Sequence, residues 1–290
     1  MNNLKNVGQV VEDYISGCAG KINCPLSKLI IKAILAGAMI ALGASAGNVA
    51  SHAISNVGLA RVASAVVFPV GLMMIILLGG ELFTGDCLML MSFMTKKEKL
   101  IKIIKVLVMV YAGNMIGASL VALAAFVSHQ FDYSAGLLGA YTIKVALGKV
   151  TLPFWSALVS GILCNILVCA AIIMAGSATD VTGKLTATFF VIMLFVVEGF
   201  EHCVANMYYI TAGLIATRSP LYVQLAIEKY GYSLEQLQAL NIQNYFVKNL
   251  LPVTIGNIIG GAICLGLPLV YLYSSKISKN DNTKNVMEVA

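Results

Sequence analysis

Gly79-Gly80-Glu81-Leu82-Phe83-Thr84-Gly85-Asp86 is the stretch that decides the fold. It follows an uncharged run from Val62 to Gly80, close to the ~20 apolar residues that cross a bilayer as a helix. Three glycines, a threonine and two carboxylates interrupt that run, and the chain turns apolar again from Cys87 to Met94. A helix that only crosses lipid has no use for such an interruption. Charged groups at membrane depth cost roughly 2.5–3.5 kcal/mol each, so they face protein or water. Freed backbone is tolerated there only where it is buried in protein or lines a cavity. The stretch therefore predicts a broken helix lining a pore or binding site.

The whole chain supports that setting. Of its 290 residues 59% are hydrophobic and 11% charged, where a soluble domain carries about 25% charged. Mean hydropathy is +0.88. This composition excludes a soluble globular protein and predicts an all-α integral membrane protein. The formal charge of +6 does not point to nucleic acid, because the lysines sit in short loops and read as topology signals. Cys87, Cys164, Cys169, Cys203 and Cys264 lie inside apolar runs, where free cysteine acts as a small hydrophobe. Residues 1–28 lack the apolar core of a signal peptide.

Six spans are expected: Leu29 to Ala50, the interrupted Val62 to Met94, Val106 to Ser128, Leu152 to Ala178, an interrupted Leu185 to Thr217, and Asn249 to Ser275. The chain then divides into an N-terminal segment (1–28), a channel domain (29–275) and a C-terminal tail (276–290). Lysines concentrate on the side that holds both termini, which predicts that side to be cytoplasmic. Between spans five and six, Ser219-Pro220 and Gly231 bracket one short surface helix. Ser233 with Gln236 forms a capping box for a second.

A repeat links the two interruptions. Val110-Tyr111-Ala112-Gly113-Asn114-Met115-Ile116-Gly117 in span three lines up with Val253-Thr254-Ile255-Gly256-Asn257-Ile258-Ile259-Gly260 in span six. The halves run from about 29 to 128 and 152 to 275. Repeated after three crossings, they must be inverted in the membrane, and paired breaks in such halves point to a site near the midplane. The four-residue glycine spacing serves close helix packing. Asn114 and Asn257 are buried carboxamides, and the backbone freed by the breaks is the obvious place for their bonds.

The second break, Glu198-Gly199-Phe200-Glu201-His202-Cys203, supplies the one histidine expected at membrane depth. Histidine is readily switched near neutral pH. Glu201-His202 has two readings: a functional pair, or a satisfied core pair that shapes the broken helix. Glu81 reads as a brace that accepts bonds from freed backbone amides. His202, Cys203 and Cys87 have ligand chemistry but no zinc spacing, and nothing marks a base and oxyanion site for a nucleophile. No metal and no cofactor are expected.

With these residues in view, the resemblance is specific. Glu81-Leu82-Phe83-Thr84, Gly199-Phe200-Glu201-His202 with Ala205-Asn206-Met207, and Pro252 to Gly261 resemble the signatures of the formate/nitrite transporter family, over about Pro25 to Tyr273. Within it the chain looks most like the hydrosulfide-conducting clostridial members. The resemblance implies an aquaporin-like six-helix protomer, a homopentamer with one pore per subunit, and transport of hydrosulfide, formate or nitrite across a bacterial inner membrane, not an enzyme. It places Thr84 and His202 at the pore centre, with Glu201 and Asn165 as partners of the histidine. Phe68, Leu72, Leu82 and Phe195 match its constrictions, and Lys149 its anion-attracting vestibule lysine. Glu198, Cys203 and Gly85-Asp86 depart from the formate and nitrite pattern. A proton-coupled secondary transporter would use the same residues, and a metal or redox membrane enzyme is the remote alternative. The N-terminal stretch Val7 to Cys24 resembles a cover for the cytoplasmic mouth.

Overall fold

The computed structural model describes residues 4–273, so the tail at 276–290 lies outside the described residues. Every regular element is a helix apart from one isolated bridge between Leu4 and Ala178. The first half comprises α1 (Val7–Ile22), α2 (Leu26–Ser51), α3 (Val57–Leu78), α4 (Phe83–Met94) and α5 (Leu100–Val127). The second half comprises α6 (Leu137–Val150), α7 (Phe154–Ser177), α8 (Val181–Glu198), α9 (Cys203–Ala216), the surface pair α10 (Pro220–Tyr230) and α11 (Leu234–Gln238), and α12 (Ile242–Tyr273).

Six of these are long and apolar enough to cross a membrane: α2, α3, α5, α7, α8 and α12. The short apolar helices α4 and α9 complete the two broken spans. Each break begins alike. Gly79 ends α3 with φ 71°, and Gly199 ends α8 with φ 73°. A side chain is disfavoured in that left-handed region, and glycine adopts it freely. The chain then runs extended through Leu82 and His202 before α4 and α9 start. The first half-helix starts at Phe83, with Leu82 at its N-cap position and no side-chain cap bond.

The repeated glycines set how closely the helices approach. A β-carbon on Gly117 would lie 2.0 Å from the Ile34 carbonyl oxygen, and one on Gly260 would lie 2.2 Å from that of Ile162. Hence α5 packs backbone to backbone on α2, and α12 does the same on α7. The outer faces stay apolar, with Leu35, Leu42, Val108, Leu120, Phe190 and Leu194 exposed, as suits helices surrounded by lipid or a neighbouring subunit.

The sixth span begins earlier than Asn249, at Ile242, and carries two π-helical stretches, Tyr245–Leu250 and Ile259–Gly266. In the preceding loop, Ser233 and Gln236 form the expected capping box, with both bonds present. Pro220 opens α10 and Gly231 closes it, although the Ser219 hydroxyl makes no cap bond. No apolar run or cap in the sequence marks a helix between spans three and four, yet α6 lies there. It is the counterpart of α1: each half opens with an amphipathic helix too short to span.

Candidate functional site

The two breaks meet at the centre of the molecule, where two matching carboxamides hold their backbones. Asn114 Oδ1 accepts from the Phe83 amide at 2.9 Å, and its Nδ2 donates to the carbonyls of Ala33 (2.7 Å) and Glu81 (3.0 Å). Asn257 Oδ1 accepts from the Cys203 amide at 2.9 Å, and its Nδ2 donates to Gly161 (2.7 Å) and Glu201 (3.0 Å). In each case one side chain satisfies the first amide of a half-helix and the carbonyl two residues before it. Groups freed by a break at membrane depth need such partners.

The structure therefore corrects the brace assigned to Glu81, whose carboxylate goes to cations. Lys21 Nζ lies 2.7 Å from Glu81 Oε2 and 2.5 Å from Asp86 Oδ1, and Lys32 Nζ lies 3.6 Å from Glu81 Oε1. In the second half, Glu201 Oε1 takes Lys149 Nζ at 2.9 Å, and its Oε2 accepts from Asn206 at 2.6 Å. Asn206 also donates to Asn249 Oδ1 at 2.8 Å. In each break a lysine from the amphipathic helix of that half pairs with acidic side chains, Lys21 on α1 with Glu81 and Asp86, and Lys149 on α6 with Glu201.

Thr84 and His202 come together between these two arrangements, with Thr84 Oγ1 2.9 Å from His202 Nε2, both buried. His202 also caps its own helix, its Nδ1 accepting from the Ala205 amide at 3.1 Å. An acceptor at Nδ1 places the ring proton of the neutral imidazole on Nε2. Nε2–H then donates to Thr84, whose hydroxyl hydrogen is free to turn elsewhere. Asn165 and Glu201 are not the partners of the imidazole that the family resemblance implied. Asn165 donates to the backbone carbonyls of Thr84 (3.1 Å) and Asn257 (2.6 Å), and Glu201 serves Lys149 and Asn206. The imidazole instead stacks on Phe195, ring centres 6.0 Å apart, and Phe195 meets Phe68 edge-on at 5.5 Å.

Two cavities flank this centre. One of about 500 Å3 reaches Lys21, Glu81, Asp86, Leu72 and Leu82. The other, about 390 Å3, reaches Arg61, Lys144, Lys149, Phe68, Phe195 and His202. Chain tracing puts their mouths on opposite membrane faces, since α1 and α6 are separated by three crossings. The four apolar residues Phe68, Leu72, Leu82 and Phe195 are all buried, two beside each cavity.

Several participants escaped the sequence reading. Lys21 and Asp86 needed the placement of α1 to be seen together. Lys144 lies 4.7 Å over the Tyr230 ring and 5.6 Å from that of Tyr141, and Arg61 donates to the Val197 carbonyl at 3.1 Å. Asn249 was visible only as one more polar residue at the start of span six. Among the described residues, no group of three or more His, Cys, Asp or Glu side chains is arranged to hold a metal ion.

Comparison with known proteins agrees with this geometry. Residues 8–271 match the family described as formate/nitrite transporter. The formate channel FocA of Haemophilus influenzae is 36% identical over 218 residues, 74% of this chain and 75% of that protein. A solved structure, a pentameric formate channel with formate bound, superposes with a TM-score of 0.75 at 29% identity, covering 86% of this chain and 97% of the other. The aquaglyceroporin from Plasmodium falciparum superposes with a TM-score of 0.51 over 86% of this chain and 100% of its own. At 12% identity that likeness concerns the fold alone.

Proposed function

We propose that this chain, which belongs to the formate/nitrite transporter family, is a passive, pH-sensitive channel for a small monovalent anion. It is a multi-pass membrane transport protein and not an enzyme. Formate leads the substrates, because the similar proteins are named as formate channels. The sequence resemblance ranked hydrosulfide first. The relatives named above change that order, and hydrosulfide and nitrite stand beside formate as substrates to be tested. We place the chain in the bacterial cytoplasmic membrane with both termini inside, as a homopentamer in which each subunit has its own pore.

The observation that carries this reading is the polar pair Thr84–His202 set between two cavities that meet at an apolar partition. The amino ends of α4 and α9 converge there. Each supplies roughly half a positive charge, which favours an anion over a cation. Leu72 and Leu82 on one side, and Phe68 and Phe195 on the other, strip water from whatever passes and resist bulky hydrated ions. Thr84 and His202 replace part of that lost hydration. With Nδ1 occupied by its cap, His202 meets the substrate as a neutral Nε2–H donor. A proton that lets a weak acid cross as a neutral molecule then comes from vestibule water, which makes the flux pH-sensitive.

Reconstitution in liposomes tests the reading, with formate, hydrosulfide, nitrite and chloride fluxes compared at several pH values. Formate flux that rises with acidity and stops at equilibrium is expected. Accumulation against a gradient would replace the channel by a proton-coupled carrier, and fast chloride flux would remove the weak-acid mechanism. His202→Phe should abolish most of the flux; an unchanged rate and pH profile would take His202 out of the path.

A further inference from the structure

The segment Lys96-Lys97-Glu98-Lys99-Leu100-Ile101-Lys102-Ile103-Ile104-Lys105 sets five lysines against one glutamate where α5 emerges from the bilayer. Lys99, Lys102 and Lys105 recur at three-residue spacing along one side of the helix. Ile101, Ile104 and Val108 beside them are exposed and apolar. Lys102 has an i,i+4 pair with Glu98 at 3.3 Å, and Lys105 is in none of the ion pairs among the described residues.

Behind this row lies a groove of about 340 Å3 that shares no lining residue with the two cavities beside the Thr84–His202 pair. Lys102 and Lys105 line it together with Leu26, Leu29 and Met109, and Cys24 closes it at the joint between α1 and α2. A cationic rim over an apolar floor, at the end of a spanning helix, has the chemistry of a phospholipid with an anionic head. The lysines would meet the phosphate and the floor would take the upper part of an acyl chain. Basic clusters at such a level attract anionic lipid, and basic pockets between spanning helices seat its head groups.

We propose that this groove seats an anionic phospholipid of the phosphatidylglycerol type, against the joint that connects the N-terminal helix to the first span. The proposal stands independently of which anion the pore carries. Cys24 reports on it directly, being a free thiol inside the groove that is neither exposed nor fully buried. Cys264, the one exposed free cysteine among the described residues, is removed as Cys264→Ser.

The full chain carrying Cys264→Ser is placed in nanodiscs of phosphatidylcholine, with or without phosphatidylglycerol, and maleimide labelling of Cys24 is followed by mass spectrometry. Alkylation should slow about tenfold when phosphatidylglycerol is present, and the double variant Lys102→Gln/Lys105→Gln should label at the phosphatidylcholine rate in both discs. Lys105→Gln alone gives an intermediate rate and serves if the double variant does not assemble. Inorganic phosphate added to phosphatidylcholine discs should protect nothing. Equal rates in the two lipids, protection that survives loss of the lysines, or protection by phosphate alone would each overturn the lipid seat.

Discussion

At the scale of single residues, Asn257 shows what the breaks require. One side chain holds the Cys203 amide and the carbonyls of Gly161 and Glu201. Asn257→Ala orphans two buried groups at the break, the Cys203 amide and the Glu201 carbonyl, at about 1–3 kcal/mol each before relaxation, while the Gly161 carbonyl stays within the helical ladder of α7. A loss of about 3 kcal/mol or more is expected in detergent melts, with Asn114→Ala behaving alike; a melt within a degree of wild type would show that the breaks hold themselves. Lys149 presents a different question, because its ammonium is matched by Glu201 at 2.9 Å. Lys149→Gln leaves an unpaired carboxylate beside the anion path, so influx should drop several-fold. Lys149→Gln/Glu201→Gln should recover much of it. If the double variant is as slow as the single one, Lys149 acts on the anion itself. In the sequence, residue types were legible but their partners were not. The repeat marked Asn114 and Asn257 as a pair, while nothing local showed that Glu201 turns to Lys149 and away from the adjacent His202.

At the scale of elements, the breaks and the glycine contacts behave differently under substitution. Gly79→Ala strains only the backbone, since nothing lies within 4 Å of the added carbon. A cost of about 1 kcal/mol is expected from the left-handed conformation. Gly117→Ala puts a carbon 2.0 Å from the Ile34 carbonyl oxygen, so α2 and α5 must separate. It should lower the melting temperature far more than Gly79→Ala, and the reverse ranking would mean that the break, not the crossing, limits stability. All six spans and both interruptions could be placed from hydropathy, with the start of the sixth set too late, because lipid demands long apolar runs. The α6 helix was not, because Thr142, Ile143, Ala146, Leu147 and Val150 bury one face against protein while Lys144 and Lys149 keep the segment from reading as a span. Likewise α1 carries Val10, Val11, Ile15 and Cys18 on its buried face, a pattern that reads as a short amphiphilic stretch until its docking site is known.

At the scale of the whole molecule, the two halves differ most in what their amphipathic helices do. On α6, Lys149 pairs with one carboxylate, whereas on α1 Lys21 ties both Glu81 and Asp86, and the Tyr14 hydroxyl donates to the Gly85 carbonyl at 2.9 Å. Burial pulls the Lys21 pKa down, but Asp86 first, then Tyr14 and Glu81, carry it well above its ordinary 10.5. A raised folded pKa contributes stability that is fully present below 10.5 and is lost only as pH climbs through the higher folded value. From about pH 6 to pH 9 the lysine side of this contact is therefore constant. Cys18 reports on whether α1 stays seated: it is fully buried, and burial pushes its thiol up to about 11. In the wild type, alkylation of Cys18 should be slow across that whole range apart from the ordinary rise of thiolate with pH. Lys21→Met leaves Asp86 without its cation and Glu81 with only Lys32 at 3.6 Å, so the acidic pair beneath the helix loses the partner that ties it to α1. Cys18 should then label at least severalfold faster at neutral pH, and Glu81→Gln/Asp86→Asn added to Lys21→Met should slow it again by removing the buried acid left without a cation. Labelling that stays slow in Lys21→Met would assign the docking of α1 to its apolar face and Tyr14, with the ion pairs a consequence of that docking.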